Sequence, residues 1–164
     1  MDSLVQKMKR ADLGEVLRIY AEGIAGGNST FETSVPVEEE WDKIHLSKCR
    51  LVARASEEVI GWAALSPVSG RCTYSGIAEV SIYVASPVKG KGVGKALLLK
   101  LVKESEKAGI WTLEASMFPE NKASISLFKS CGFREVGYRE KLGSMNGLWR
   151  DVILLERRSR DVGA

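Results

Sequence analysis

The stretch EVSIYVASPVKGKGVGKALL, residues 79–98, constrains the fold more than any other part of the chain. Glu79, Ser81 and Tyr83 alternate with the apolar Val80, Ile82 and Val84, which is the period-two pattern of a half-buried strand. Gly90, Gly92 and Gly94 follow, interleaved with Lys89, Lys91, Val93 and Lys95, and a Leu-rich helical pattern begins at once. A strand that runs through glycines into a helix leaves backbone N–H groups unpaired at the turn, and the helix dipole adds positive potential there. Glycine lets an anion approach that backbone, and the three lysines supply counter-charge. The unit is therefore suited to a diphosphate, although an ordinary basic surface turn uses the same residues. Two familiar phosphate motifs are excluded. No G-x-x-x-x-G-K-[ST] occurs, and a G-x-G-x-x-G counted from Gly92 meets Leu97 where a small residue is needed.

The rest of the chain limits what surrounds this unit. Its 164 residues suit one domain, taken as 1–158, with a frayed tail at 159–164. A strand at 4–8 precedes a helix whose Leu13, Val16, Leu17 and Tyr20 recur at helical spacing, opened by a capping box of Asp12 with Glu15. Gly, Asn, Ser and Thr make GGNSTFETSVP a loop, and Pro36 opens a second helix with Val37, Trp41 and Ile44 on one face. CRLVARASEEVIGWAALSPV is a strand pair turning at 56–58, and the loop PVSGRCTYSG leads to the strand 77–84. After the glycines come a helix stopped by Gly109, the strand IWTLEAS, a short helix at 121–130 ending before Gly132, and a strand pair around SMNG. The layout is mixed α/β, with seven strands and four helices.

Composition excludes several functional classes. The chain is 45% hydrophobic with a formal charge of +3, and no segment approaches the roughly 18 apolar residues of a membrane span. No basic arm suited to nucleic acid is present, so neither nucleic acid nor membrane is expected as a partner, and a cytoplasmic location follows by default. Cys49, Cys72 and Cys131 read as buried thiols and His45 as a helical surface residue, so no disulfide framework and no metal are expected.

The companion stretch NKASISLFKSCGF, residues 121–133, gives the glycine turn a context. Together they resemble the GCN5-related N-acetyltransferase superfamily, in which an [RQ]-x-x-G-x-[GA] turn binds the diphosphate of acetyl-CoA. Lys89, Gly90, Lys91, Gly92, Val93 and Gly94 occupy that turn, with Lys in place of Arg or Gln. STFET, GRCTY, AEVSIYV and MNGLWRDVILLE extend the likeness over nearly the whole chain, toward the phosphinothricin and methionine sulfoximine acetyltransferase group. The resemblance implies that fold, acetyl-CoA as co-substrate, and direct attack by a small amine in a ternary complex.

It also implies roles. The backbones of Ile82, Tyr83 and Val84 would pair with the pantetheine arm, Lys95 would join the turn residues around the diphosphate, and Asn121 would bond the arm or position the sulfur. An attacking amine must be neutral, and Glu79, an acid in an otherwise apolar strand, is the candidate base. The alternatives are a strand-end surface Glu and, for Asn121, a simple N-cap. Arg71 would pair with a carboxylate or phosphinate between Phe31 and Tyr74, which are otherwise a solvated loop charge and ordinary packing aromatics. Phe128 stands where many members have a protonating Tyr. The leading acceptor is the α-amine of a small amino acid or analogue. Polyamine, aminoglycoside or protein N-terminus acceptors, and a CoA-binding regulatory module without turnover, are the alternatives. A homodimer is implied too, with Leu148, Trp149, Val152 and Leu154 on apolar closing strands that permit it.

Overall fold

The computed structural model describes residues 4–164. In chain order the elements are β1 (Leu4–Lys7), α1 (Leu13–Gly26), α2 (Glu38–Ile44), β2 (Leu51–Ala55), β3 (Glu58–Pro67), β4 (Ile77–Val84), α3 (Val93–Lys107), β5 (Thr112–Met117), α4 (Lys122–Ser130), β6 (Arg134–Met145) and β7 (Leu148–Arg158). The seven strands form one sheet in the order β1-β2-β3-β4-β5-β7-β6, as the seven-strand, four-helix reading expects. Only β4 and β5 run parallel among the described pairs, and α3 makes the crossover between them.

Alternation along β3 and β4 sends side chains to two helical layers. A Cβ on Gly61 would meet Leu97 and Val93 of α3, whereas the neighbouring Trp62 ring packs edge-on to Tyr20 of α1. Val84 approaches α3 near Gly94, while Tyr83 lies against Gly23 of α1. Thus α3 and α4 cover one face, and α1 and α2 cover the other. On α3 the buried Val93, Leu97, Leu98, Leu101, Val102 and Ser105 form one face. Each wholly buried leucine there stabilises the fold by about 1.5–3 kcal/mol.

Several local readings change. Asp12 does not cap α1. Its carboxylate accepts from the Lys9 N–H at 2.8 Å and from Arg54 at 2.6 Å, because a 3-10 turn at Arg10–Asp12 intervenes before the helix. The Arg54 guanidinium and the Lys9 amide outweigh burial and hold the Asp12 carboxyl below its ordinary range. In α2, which begins two residues after Pro36, Trp41 is wholly buried while Val37 and Ile44 are exposed. Three apolar residues at helical spacing thus do not share a buried face, since a helix of this length presents only one turn to the core. Cys131 is buried, but Cys49 is half-buried and Cys72 is exposed in the loop before β4.

Hydrogen bonds engage the residues at the start of the tail. The buried Ser159 hydroxyl donates to Glu106 at 2.5 Å and accepts from the N–H groups of Asp161 and Val162. Arg158 donates to the carbonyls of Ser159, Val162 and Gly163 at 2.6–2.9 Å. These residues find their partners on α3 and on their own turn.

Candidate active site

The register of β4 and β5 ends early. Ile77, Ala78 and Glu79 pair with Thr112, Leu113 and Glu114, after which β4 continues to Val84 while Ala115–Met117 of β5 stay paired only with β7. The two parallel strands therefore diverge just beyond Glu79. The Ala85 N–H donates to the Ile60 carbonyl of β3 at 2.9 Å. Backbone groups alternate in direction along an extended strand, so Tyr83 also turns its N–H and C=O to β3, and Ile82 and Val84 turn theirs to the opening. Of the three residues expected to bond an extended ligand there, two present their backbone to it. Tyr83 contributes its ring instead, stacked on Trp62 at 5.0 Å and 4.8 Å from Tyr20.

The glycine turn closes one end of this opening. Lys89 at φ −60°, ψ 143° followed by Gly90 at φ 78° gives the dihedrals of a type II turn, which requires a glycine-like residue at its third position. Gly92 caps α3 at φ 86°, and a Cβ on either glycine would meet nothing within 4 Å. Beyond them the N–H groups of Gly92, Val93, Gly94 and Lys95 have no acceptor among the described residues, the first helical bond being Ala96 N–H to Gly92 C=O. Four converging amides at a helix start fit an anionic group. Gly94 serves differently from the other two: its Cβ would sit 3.1 Å from Leu127 Cδ2, so it permits close packing of α3 on α4. Val93 points into the core, and Lys91 lies outside the cleft that Lys89 and Lys95 line.

A cleft of about 870 Å³ runs from the turn to where the strands part, and Glu79, Ile82, Tyr83, Val84, Asn121, Phe128 and Phe31 all line it. Glu79 is half-buried on the α1–α2 face. Burial pushes its carboxyl above the ordinary range, and Glu114, its in-register neighbour, adds repulsion. Asn121 both caps α4, accepting from the Ser124 N–H at 3.3 Å, and donates to the Asn28 carbonyl at 3.3 Å across the cleft mouth. Phe31 packs edge-on to Phe118 with 4.8 Å between centroids. Phe128 is buried against Phe133 and brings no proton donor.

Arg71 and Tyr74 do not reach the cleft. They lie exposed in the loop 68–76, with the Arg71 guanidinium 5.8 Å over the Tyr74 ring. Sequence reading missed two residues that do matter here. Arg150 donates to the Gly27 carbonyl, to Asn28 at 2.8 Å and to Glu120, and covers the Phe118 ring at 3.9 Å. Its signal was an arginine in phase with the inward Val152 of the same strand. His45 is no surface residue: it stacks on Trp41 at 4.2 Å and lines the cleft.

The profile of the Acetyltransferase (GNAT) family matches residues 16–133. The phosphinothricin N-acetyltransferase of Alcaligenes faecalis is 31% identical over 161 residues, 93% of this chain and 81% of that protein. The L-methionine sulfoximine/L-methionine sulfone acetyltransferase of Pseudomonas paraeruginosa is 27% identical over 95% of this chain and 94% of its own. A solved GNAT superfamily phosphinothricin acetyltransferase from Sinorhizobium meliloti, in complex with AcCoA, superposes with a TM-score of 0.86 at 30% identity, covering 96% of this chain and 89% of that one. The diverging parallel strands and the open amides of the glycine turn agree with that likeness, and the chain belongs to the GNAT acetyltransferase family.

Proposed function

We propose that the protein transfers acetyl from acetyl-CoA to the α-amine of a small amino acid or amino-acid analogue of the phosphinothricin or methionine sulfoximine type. The observation that carries this reading is the opening between β4 and β5, with unpaired amides at its glycine end and Glu79 where the strands part. Amides of Gly92, Val93, Gly94 and Lys95, flanked by Lys89 and Lys95, suit the diphosphate. Ile82 and Val84 offer backbone groups to the pantetheine arm, and Asn121 stands beside it on α4. Bound there, acetyl-CoA supplies an acetyl thioester. Glu79 removes the ammonium proton of the acceptor, and its raised pKa brings it nearer the pH at which a base works best. Phe128 leaves the departing thiolate to be protonated by water or product.

One observation favours a second reading, a cationic acceptor such as a polyamine or aminoglycoside. Glu32, Glu40 and Glu79 line the cleft, whereas its lysines, Lys89 and Lys95, belong to the glycine turn, and Arg71 lies outside. Thiol release from acetyl-CoA decides between them, measured against phosphinothricin, methionine sulfoximine, methionine sulfone, common amino acids, spermidine and an aminoglycoside. Selective turnover of an amino-acid analogue supports the first reading, and selective turnover of spermidine or the aminoglycoside replaces it with the second. In the same reading the protein is a homodimer that joins through exposed apolar residues of β6 and β7.

A further inference from the structure

We propose that His45 is a second proton-handling side chain at the acceptor end of the cleft, receiving through Nε2 the proton that Glu79 takes from the acceptor ammonium. It rests on the acetyl-transfer reading above. His45 Nδ1 lies 2.8 Å from the Trp41 carbonyl oxygen. A carbonyl only accepts, so Nδ1 carries the hydrogen and a neutral ring keeps its lone pair on Nε2. Among the described residues the buried side-chain polar atoms without a partner are the indole nitrogens of Trp41 and Trp62, so Nε2 is not sealed in the core. His45 is one of the residues that line the cleft.

The ring is held in place. It stacks on Trp41 with 4.2 Å between centroids and meets Trp62 edge-on at 5.9 Å. Arg50 grips the His45 carbonyl at 3.0 Å, and the next residue, Leu46, donates its N–H to the Leu65 carbonyl at 2.7 Å. That anchor lies one residue from Ser66, the β3 partner of Glu79. Trp62, which His45 touches, is on the same face of the sheet as Glu79, since Trp62 pairs with Tyr83 and Ser66 with Glu79. The fold thus brings the C-terminus of α2 and the strand carboxylate to one end of one cleft.

The charged and titratable neighbours are Arg50, Asp42 paired with it at 2.5 Å, the cleft carboxylates Glu32, Glu40 and Glu79, and the phenols Tyr20 and Tyr83. Burial and the Arg50 charge outweigh the carbonyl bond and hold the imidazole below its ordinary pKa, which favours the neutral ring with its lone pair on Nε2. The step balances without redox chemistry. The ammonium N–H bond breaks and a proton joins the Glu79 carboxylate. It passes through water to His45 Nε2, and the imidazolium then releases it to bulk solvent, which restores both groups.

His45 is the single histidine, so nitrogen-15 imidazole NMR of untagged protein reports it without ambiguity. The expected spectrum shows hydrogen on Nδ1, neutrality at pH 7, and an Nε2 shift when acetyl-CoA and the best acceptor of the panel are added. A hydrogen on Nε2, or an Nε2 resonance indifferent to both ligands, overturns the proposal whatever the enzyme acetylates. Absence of acetyl transfer from the wild type would instead refute the function itself. In kinetics, His45→Phe, which keeps the stack, and His45→Ala should each lose roughly tenfold or more in kcat near pH 7, with unchanged acetyl-CoA affinity. Raising the pH should narrow both losses, and added imidazole should restore His45→Ala. A kcat near wild type in His45→Phe, or losses that neither pH nor imidazole moves, leaves His45 a packing residue.

Discussion

At the scale of single residues, the burial of Glu79 carries a cost to the fold. Burial beside Glu114 disfavours its charged form, so the folded state holds its proton more tightly than the unfolded chain does. The stability associated with that proton is complete below the unfolded pKa and is lost as pH rises through the raised folded one. Glu79→Gln should therefore raise Tm at neutral pH while lowering kcat/KM by about 10²–10⁴-fold, with partial rescue at high pH where solvent supplies neutral amine. Near-wild-type kcat/KM in this variant would exclude Glu79 as the base. Glu114→Gln tests the cause of the shift. Removing that charge lowers the Glu79 pKa, so the acid limb of the pH–rate profile should move to lower pH. An unmoved limb would assign the shift to burial alone.

At the scale of elements, the glycine turn and the strand β7 do different work. Gly92 holds φ 86° with its missing Cβ toward open space, so Gly92→Asp adds both left-handed strain and negative charge beside the open amides. Calorimetry should show acetyl-CoA affinity reduced by roughly tenfold or more, and equal affinity would remove the turn from the cofactor site. Arg150 links β7 to the segment after α1 and to the corner between β5 and α4. Arg150→Met keeps apolar cover over Phe118 but leaves the Gly27 carbonyl and the Asn28 side chain without this donor. Urea unfolding should register a loss of about 1–3 kcal/mol. If Arg150 also positions Asn121 and Phe31, the acceptor KM should rise, which a purely local role would not produce.

At the scale of the whole molecule, β6 and β7 carry several exposed large apolar side chains. Leu148 and Trp149 on β7 are 67% and 64% exposed, and Tyr138 and Leu142 on β6 are exposed as well. Val152, by contrast, is buried against Phe118 and Met145, so the apolar residues of β7 divide between core and surface. Sedimentation at micromolar concentration should give a dimer, and Trp149→Glu should shift it to the 18.0 kDa monomer. A wild-type monomer would remove the homodimer from the proposal and leave the site intact. No helix among the described residues is long and apolar enough to cross a membrane.

Local chemistry made the order of elements legible from the chain alone. Alternation named β4, the spacing of Gly90, Gly92 and Gly94 named the turn, and the spacing of Leu97, Leu98 and Leu101 named α3, because each signal lies within a few residues. Glu79 stood out as a candidate for the same reason, as an acid in an apolar alternation. Whatever depended on partners distant in sequence was not. Asp12 took Arg54 in place of its own helix, Ser159 took Glu106, and His45 took Trp41 and the cleft. The point where β4 parts from β5 follows from pairing, which also turns the backbone of Tyr83 toward β3 and leaves Ile82 and Val84 to the opening. Arg71 and Tyr74 fitted a substrate pocket by residue type, and only the path of the loop after β3 set them outside it. A side chain's chemistry is written in its own position, but its neighbours are set by strand register and helix packing, which bring together residues tens of positions apart.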